Sequence, residues 1–278
     1  MPTIPMPFQI ASADTEDILG YAVYARPLGD LVQDVLGHVR DAAAGGAWLA
    51  CLNPHSYAVA CDNPDFGAAL RRATWLVPDG AGVTLASRWI SGRIRDRLCG
   101  PDVFLAISAA INARGPFKVL FLGSTEATLA SVAHRYRADF PNVTTIDTHS
   151  PPFRAAFDDA DIAEMRDMVR RAAPDILWVG LTAPKQELLL QRLGADAGYG
   201  FAAAIGAAFD FYAGNVQRSG PMFRRLGLEW LPRLVQEPRR LWRRTFVSAP
   251  RFLVHVASQA LAARVSARKR TRNPRERS

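Results

Sequence analysis

Asp175-Ile176-Leu177-Trp178-Val179-Gly180-Leu181-Thr182-Ala183-Pro184-Lys185-Gln186-Glu187 passes from a continuous apolar run, through a glycine, into a Pro-led helix start. A short apolar run bounded by turn residues and followed by helical periodicity is one strand and one helix of a parallel sheet. The same event recurs on both sides of it. Apolar runs at 48–52, 75–78, 118–122 and 201–205 and the segment 144–147 read, together with 175–181, as strands. Helical patterns fall at 31–43, 64–73, 82–91, 102–113, 125–139, 160–173 and 185–193, with more in the C-terminal tail. Strands that alternate with helices predict an α/β class, a parallel sheet flanked by helices. Residues 1–25 suggest only a short β start, and no internal repeat is visible.

Composition narrows the classes. The chain has 278 residues, 49% of them hydrophobic and 22% charged, which suits a folded α/β domain with an appendage. Mean hydropathy is -0.02 and no long uninterrupted apolar run occurs, which speaks against a multi-span membrane protein. The first twenty residues carry Asp14, Glu16 and Asp17 and no Lys or Arg, unlike a secretory leader. Three cysteines, Cys51, Cys61 and Cys99, form no CxxC pair and no disulfide framework. A reducing, cytoplasmic location is the expectation.

The net charge of +8 is unevenly placed. Up to Val216 there are 18 Lys and Arg against 23 Asp and Glu, whereas from Gln217 onward there are 16 against 3. The expected division is therefore a mildly acidic body, 1–216, and a basic helical appendage, 217–278. Two stretches of that appendage, 226–242 and 246–265, interleave Trp, Phe, Leu and Val with Arg. Such a pattern fits a helix lying in a membrane interface, and equally an amphipathic helix packed on the body. The Arg- and Lys-rich end, 268–277, reads as disordered. An Arg-rich tail also fits nucleic acid, which is the rival function; salt-sensitive binding would separate the two.

In a parallel sheet ligands bind beyond the carboxyl ends of the strands. Asn53-Pro54-His55, Asp79-Gly80-Ala81-Gly82, Gly123-Ser124-Thr125, His149, Thr182 to Glu187, and Gly206 to Asp210 all fall there. Gly123 opens a turn where backbone N–H groups can meet a phosphate, or is a structural turn. Asp79 at a strand end suits a general base, although local sequence favours a cap for the helix at Gly82. Lys185 can meet a phosphate and Gln186 a sugar hydroxyl. Asp210 is a second site carboxylate or a buried cap. His55 and His149 are site or turn residues. Asp159-Ala160-Asp161 spells DxD, a metal–nucleotide pattern, but its place at a helix start favours capping. Neither a Walker A loop, nor GxGxxG, nor GxSxG, nor zinc spacing is present, so no metal or cofactor is expected.

Five ordered strings carry a resemblance: Pro78 to Val83; Arg97 to Asp102; Val179 to Glu187; Gly206 to Gly214; and Gly227 to Leu231 with Glu237 to Leu241. Together they resemble the WecG/TagA/CpsF glycosyltransferase family from about Leu52 to about Arg244. The resemblance implies a Rossmann-like fold and inverting transfer of a sugar from a UDP-sugar to a polyprenyl-diphosphate-linked monosaccharide. It also implies a peripheral site of action on the inner face of the cell membrane, in exopolysaccharide or surface-glycan synthesis. Asp79 matches the family's proposed base, Asn53 its strand-end asparagine near the donor sugar, and Gln186 its site glutamine. The basic appendage is similar to one that closes over the site, with Arg233, Arg239, Arg240 and Arg243 as candidates for the diphosphate and the anionic membrane surface. UDP-glucose, UDP-N-acetylmannosamine and its uronic acid are candidate donors. Nucleic acid is not an expected partner under this reading, and homo-oligomerisation is left open. The chain departs from the family pattern at Cys51, where a Thr is usual, at His149-Ser150-Pro151-Pro152-Phe153, and at Arg218-Ser219-Gly220-Pro221.

Overall fold

The computed structural model describes residues 10–41, 45–216 and 242–272. Six parallel strands form the central sheet: β3 (Ala47–Leu52), β4 (Trp75–Pro78), β5 (Lys118–Gly123), β6 (Thr145–His149), β7 (Ile176–Gly180) and β8 (Phe201–Ala204). Their spatial order is β4-β3-β8-β7-β5-β6. A separate antiparallel hairpin, β1 (Thr15–Ile18) and β2 (Tyr21–Tyr24), turns through Leu19 and Gly20, both at positive φ, as a two-residue hairpin loop requires. The expected short β start is this hairpin.

Apart from the edge strand β6, the sheet is buried on both faces, so its strands read as nearly unbroken apolar runs rather than alternating ones. Leu49, Val77, Phe121, Trp178 and Phe201 face a layer built from α1 (Leu28–Arg40), α5 (Gly100–Asn112), α6 (Glu126–Asp139) and α9 (Ala208–Ala213). Ala50, Leu52, Leu122, Leu177 and Val179 face the opposite layer. That layer holds α3 (Pro64–Arg72), α4 (Ala81–Ile90), α7 (Asp159–Ala172) and α8 (Lys185–Leu193). The α/β expectation holds, with element ends displaced by a few residues at most.

Helix α2 (Pro54–Asp62) and α9 were not expected. Both are short, and α2 starts at Pro54, which reads in sequence as a turn residue; here it is the first residue of the helix, where proline's missing N–H costs nothing. The DxD string is a helix start as expected, but the cap is Asp158, whose side chain accepts from Asp161 N at 2.9 Å.

At the C-terminus a π-helical turn, Arg244–Ser248, leads into α10 (Ala249–Arg272). Phe252, Val256 and Ala260 are buried, and α10 packs on α2 and α4. Arg251 pairs with Asp62 at 2.8 Å, and Gln259 accepts from Leu19 N at 2.9 Å. The 246–265 stretch thus packs on the body, while Val254, Leu261 and Val265 on the same helix stay exposed. The expectation of disorder from 268 onward is corrected in part. The helix runs on to Arg272, because Ala, Arg and Lys are strong helix formers. Most of the 226–242 stretch lies outside the described residues.

Candidate functional site

All six strands of the sheet end at one cleft of about 900 Å³. The loops after β3 and β4 make one wall of it. Asn53 caps α2: its Oδ1 accepts from His55 N at 3.0 Å and Ser56 N at 2.9 Å, while Ser56 Oγ accepts from Asn53 N at 2.8 Å. This box fixes the carboxamide, so that Nδ2 donates to Asp79 Oδ2 at 3.1 Å. Asp79 N donates to Leu52 O at 2.8 Å, which extends the β3–β4 pairing into the site.

Asp79 does not cap α4, contrary to what local sequence favours. The N-cap is Gly80, at φ +83, and no side chain bonds the helix end there. Gly82 is required by contact: a Cβ on it would lie 2.4 Å from Pro54 Cγ. The glycines thus let the start of α4 press against the start of α2, and leave the Asp79 carboxylate in the cleft, held by Asn53.

The floor is set by α8. Gln186 is almost fully buried; its Oε1 accepts from Gly206 N at 2.9 Å and its Nε2 donates to Glu187 Oε1 at 2.9 Å. Glu187 lines the cleft yet is 2% exposed, and its Oε2 has no hydrogen-bond partner among the described residues. Burial pushes its carboxyl up to about 7, against a smaller lowering by the Gln186 amide. Burial first, then the charges of Asp79, Cys99 and Glu187, holds the Cys51 thiol well above its ordinary range, so it stays protonated.

On the far wall Lys185 Nζ donates to Arg154 O at 2.7 Å and lies 5.1 Å from the Phe157 ring centroid. It ties down the loop that follows β6, and Phe153 of that loop stands fully exposed on the rim. Gly123 is explained by packing. At φ +113, a Cβ would sit 2.8 Å from Gly180 O. The cleft is lined instead by the next residues, Ser124 and Thr125, and Thr125 caps α6. Asp210 lies on the cleft wall in the first turn of α9, which has no side-chain cap, so it is neither buried nor capping. His149 ends β6 and does not line the cleft; burial lowers its pKa.

The π-helical turn brings the appendage to the site. Arg244 lines the cleft, whereas Arg243 is exposed beside it. Arg233, Arg239 and Arg240 lie outside the described residues. His55 Nδ1 and Ser248 Oγ are 3.0 Å apart, and the pKa of His55 is lowered to about 4, by burial first and then by Arg244 and Arg243. At neutral pH His55 is an uncharged imidazole. Sequence reasoning placed Glu187 at the strand edge without a role and passed over Arg244. Adjacent arginines cannot be told apart before the turn between them and the body is known, and a Glu in a helix's first turn ordinarily reads as a solvated charge.

Chemically, the cleft combines one oriented carboxylate, a buried amide and carboxyl below it, and cations at Lys185 and Arg244. Among the described residues no group of three His, Cys, Asp or Glu is arranged to hold a metal ion.

Comparison with known proteins gives the same direction. The model of the glycosyl transferase WecG/TagA/CpsF family matches residues 16–266. An N-acetylglucosaminyldiphosphoundecaprenol N-acetyl-beta-D-mannosaminyltransferase of Bacillus spizizenii is 30% identical over 214 residues, covering 76% of this chain and 79% of that protein. A protein of the same name from Bacillus subtilis is 26% identical over 217 residues, covering 77% and 80%.

Proposed function

The chain belongs to the WecG/TagA/CpsF family of glycosyl transferases, and on that premise we propose that it moves a sugar, with inversion, from a UDP-sugar to a polyprenyl-diphosphate-linked monosaccharide. The observation that carries this reading is the Asn53–Asp79 pair, held at 3.1 Å in a cleft that also receives Arg244 from the appendage. Asp79 is the base. An acceptor hydroxyl oxygen attacks the anomeric carbon on the face opposite the diphosphate, its proton passes to the Asp79 carboxylate, and the bond from that carbon to the diphosphate oxygen breaks. The leaving UDP takes the electron pair, and Arg244 supplies fixed positive charge toward it. Asn53 keeps one carboxylate oxygen engaged and so aims the other. Gln186 has its carbonyl and one N–H occupied within the protein, and offers its second N–H to an acceptor atom of the donor sugar. Ser124, Thr125, Lys185 and Asp210 hold the rest of the donor.

Residues 217–278 act as the appendage and residues 1–216 as the transferase body. The appendage works at the membrane surface: no helix among the described residues is long and apolar enough to cross a membrane, yet Trp242, Phe246, Val247, Val254, Leu261 and Val265 are exposed. Apolar side chains on a basic helix favour lipid over nucleic acid. The named relatives make N-acetylmannosamine the first donor to try, followed by its uronic acid and glucose.

The test is UDP release from these three UDP-sugars, with and without polyprenyl-diphosphate-linked N-acetylglucosamine. One donor should give acceptor-dependent release, and Asp79→Asn should lower its kcat by roughly 100-fold or more. Release that is unchanged in Asp79→Asn would remove Asp79 from the chemistry.

A further inference from the structure

Helix α2 faces two ways. Its N-cap, Asn53, holds the Asp79 carboxylate. Its body is bonded to the appendage at three places: His55 Nδ1 to Ser248 Oγ at 3.0 Å, Tyr57 OH to His255 Nδ1 at 2.7 Å, and Asp62 to Arg251 at 2.8 Å. Tyr57 is also wedged edge-on against Phe252, with ring centroids 5.5 Å apart. The contact nearest the site is the most telling. His55 N is one of the two donors to Asn53 Oδ1, so the residue gripped by Ser248 through its side chain grips Asn53 through its backbone. Ser248 is itself buried, at the end of the π-helical turn. Within that turn Phe246 and Val247 point outward, whereas Arg244 and Ser248 point to the body. A π turn is an uncommon local geometry that is frequent at functional sites.

We propose that Ser248 and His55 are positioning residues for the Asn53–Asp79 pair, so that docking of the C-terminal helix on α2 sets the aim of the base as well as delivering an arginine. The proposal rests on the reading of Asp79 as the base. Its physical basis is that a carboxylate misplaced by about 1 Å can lose up to roughly 100-fold in rate. On the side of α2 Asn53 is anchored by the N–H groups of His55, Ser56 and Tyr57 and by the hydroxyl of Ser56, all in the first turn of that helix or just beyond it.

The experiment uses the full chain carrying Ser248→Ala, with Ser248→Thr as the hydroxyl-retaining control and His255→Phe as a more distant break that keeps the ring contact with Tyr57. Arg244 is unchanged in all three. Two quantities are measured: amide hydrogen exchange across residues 53–57, and UDP release from UDP-N-acetylmannosamine in the presence of polyprenyl-diphosphate-linked N-acetylglucosamine. Ser248→Ala and His255→Phe should speed exchange at 53–57 and lower kcat by roughly tenfold, with the donor KM within about twofold. Ser248→Thr should restore both. Unchanged exchange in Ser248→Ala overturns the proposal. So does faster exchange with an unchanged kcat, or a raised KM with kcat intact, which is the pattern of lost donor binding. If the wild-type chain releases no UDP from any donor, the transferase reading fails on its own. The exchange arm still decides whether the appendage orders the first turn of α2, and unchanged protection there overturns the coupling independently.

Discussion

Glu187→Gln isolates a buried charge whose cost can be worked out from its surroundings. In the folded protein Glu187 is 2% exposed, one oxygen accepts from Gln186 and the other has no partner among the described residues, and its carboxyl is pushed from the ordinary 4.5 up to about 7. Below pH 4.5 both the folded and unfolded chains carry the proton and the group is neutral in its effect. Between 4.5 and about 7 the unfolded chain gives up the proton while the folded chain keeps it, so the folded state binds more protons and stability falls as pH rises. Above about 7 both are ionised and the full cost is present. At about 1.4 kcal/mol per pH unit, that cost is about 3 kcal/mol. Glutamine at this position cannot ionise, and its carbonyl oxygen still accepts from Gln186. Other titrating groups are common to both proteins and cancel in the difference. Glu187→Gln should therefore gain about 3 kcal/mol on wild type between pH 4 and pH 8, close to 6 °C in Tm at roughly 2 °C per kcal/mol. Matched thermal melts across that range read this difference directly. A Tm difference that stays constant with pH would mean that folding leaves the Glu187 pKa unshifted, which would refute the burial argument.

Gly82→Ala should cost roughly 1–3 kcal/mol in urea unfolding and lower UDP release, because the new Cβ would press on Pro54 Cγ from 2.4 Å and force α4 and α2 apart at the Asp79 turn. Arg244→Ala should lower kcat for UDP release by roughly 10- to 1000-fold, whereas Arg243→Ala, at the exposed neighbour, should change it less than threefold; equal effects would count against the assigned orientation of the turn. Trp242→Asp with Phe246→Asp alters a stacked, exposed aromatic pair 4.4 Å apart and should weaken co-sedimentation with vesicles containing anionic lipid while leaving the Tm within about 2 °C. Retention of vesicle binding in that double variant would move the membrane contact elsewhere.

The sheet was legible because parallel strands buried on both faces leave a clear trace: five apolar runs, each followed by polar or glycine residues, map onto β3, β4, β5, β7 and β8 with small shifts at their ends, and the edge strand β6 lies where a short β-branched segment was expected. The rule that ligands gather at the strand ends then brought Asn53, Asp79, Lys185, Gln186 and Asp210 to one cleft. What was not legible is what depends on contacts distant in sequence. Asp79 reads locally as a helix cap, and only the Asn53 amide, 26 residues earlier, shows that its carboxylate is turned the other way. Gly123 reads either as a turn open to a phosphate or as a structural turn, and the contact that requires a glycine there, with the Gly180 carbonyl on the neighbouring strand, is visible only in the fold. Helix α2 escaped notice because its start, Asn53-Pro54-His55, has the chemistry of a turn, and a capped helix and a turn begin with the same residues.

These three cases have one physical origin. Each concerns a backbone position where two elements far apart in the chain press together at the carboxyl edge of the sheet. Local propensity is weakest as a guide at such junctions, because tertiary contact decides the conformation there. The appendage follows the same logic. Its helical pattern was readable, yet the choice between Arg243 and Arg244 rests on a single π turn, set by Ser248 meeting His55 some 190 residues away in sequence. Asp79, its partner Asn53 with α2 behind it, and Arg244 reach the cleft from three separate parts of the chain. On the proposed reading of Asp79 as the base, catalysis would depend on the packing of the C-terminal helix in a way that no segment of the chain discloses alone.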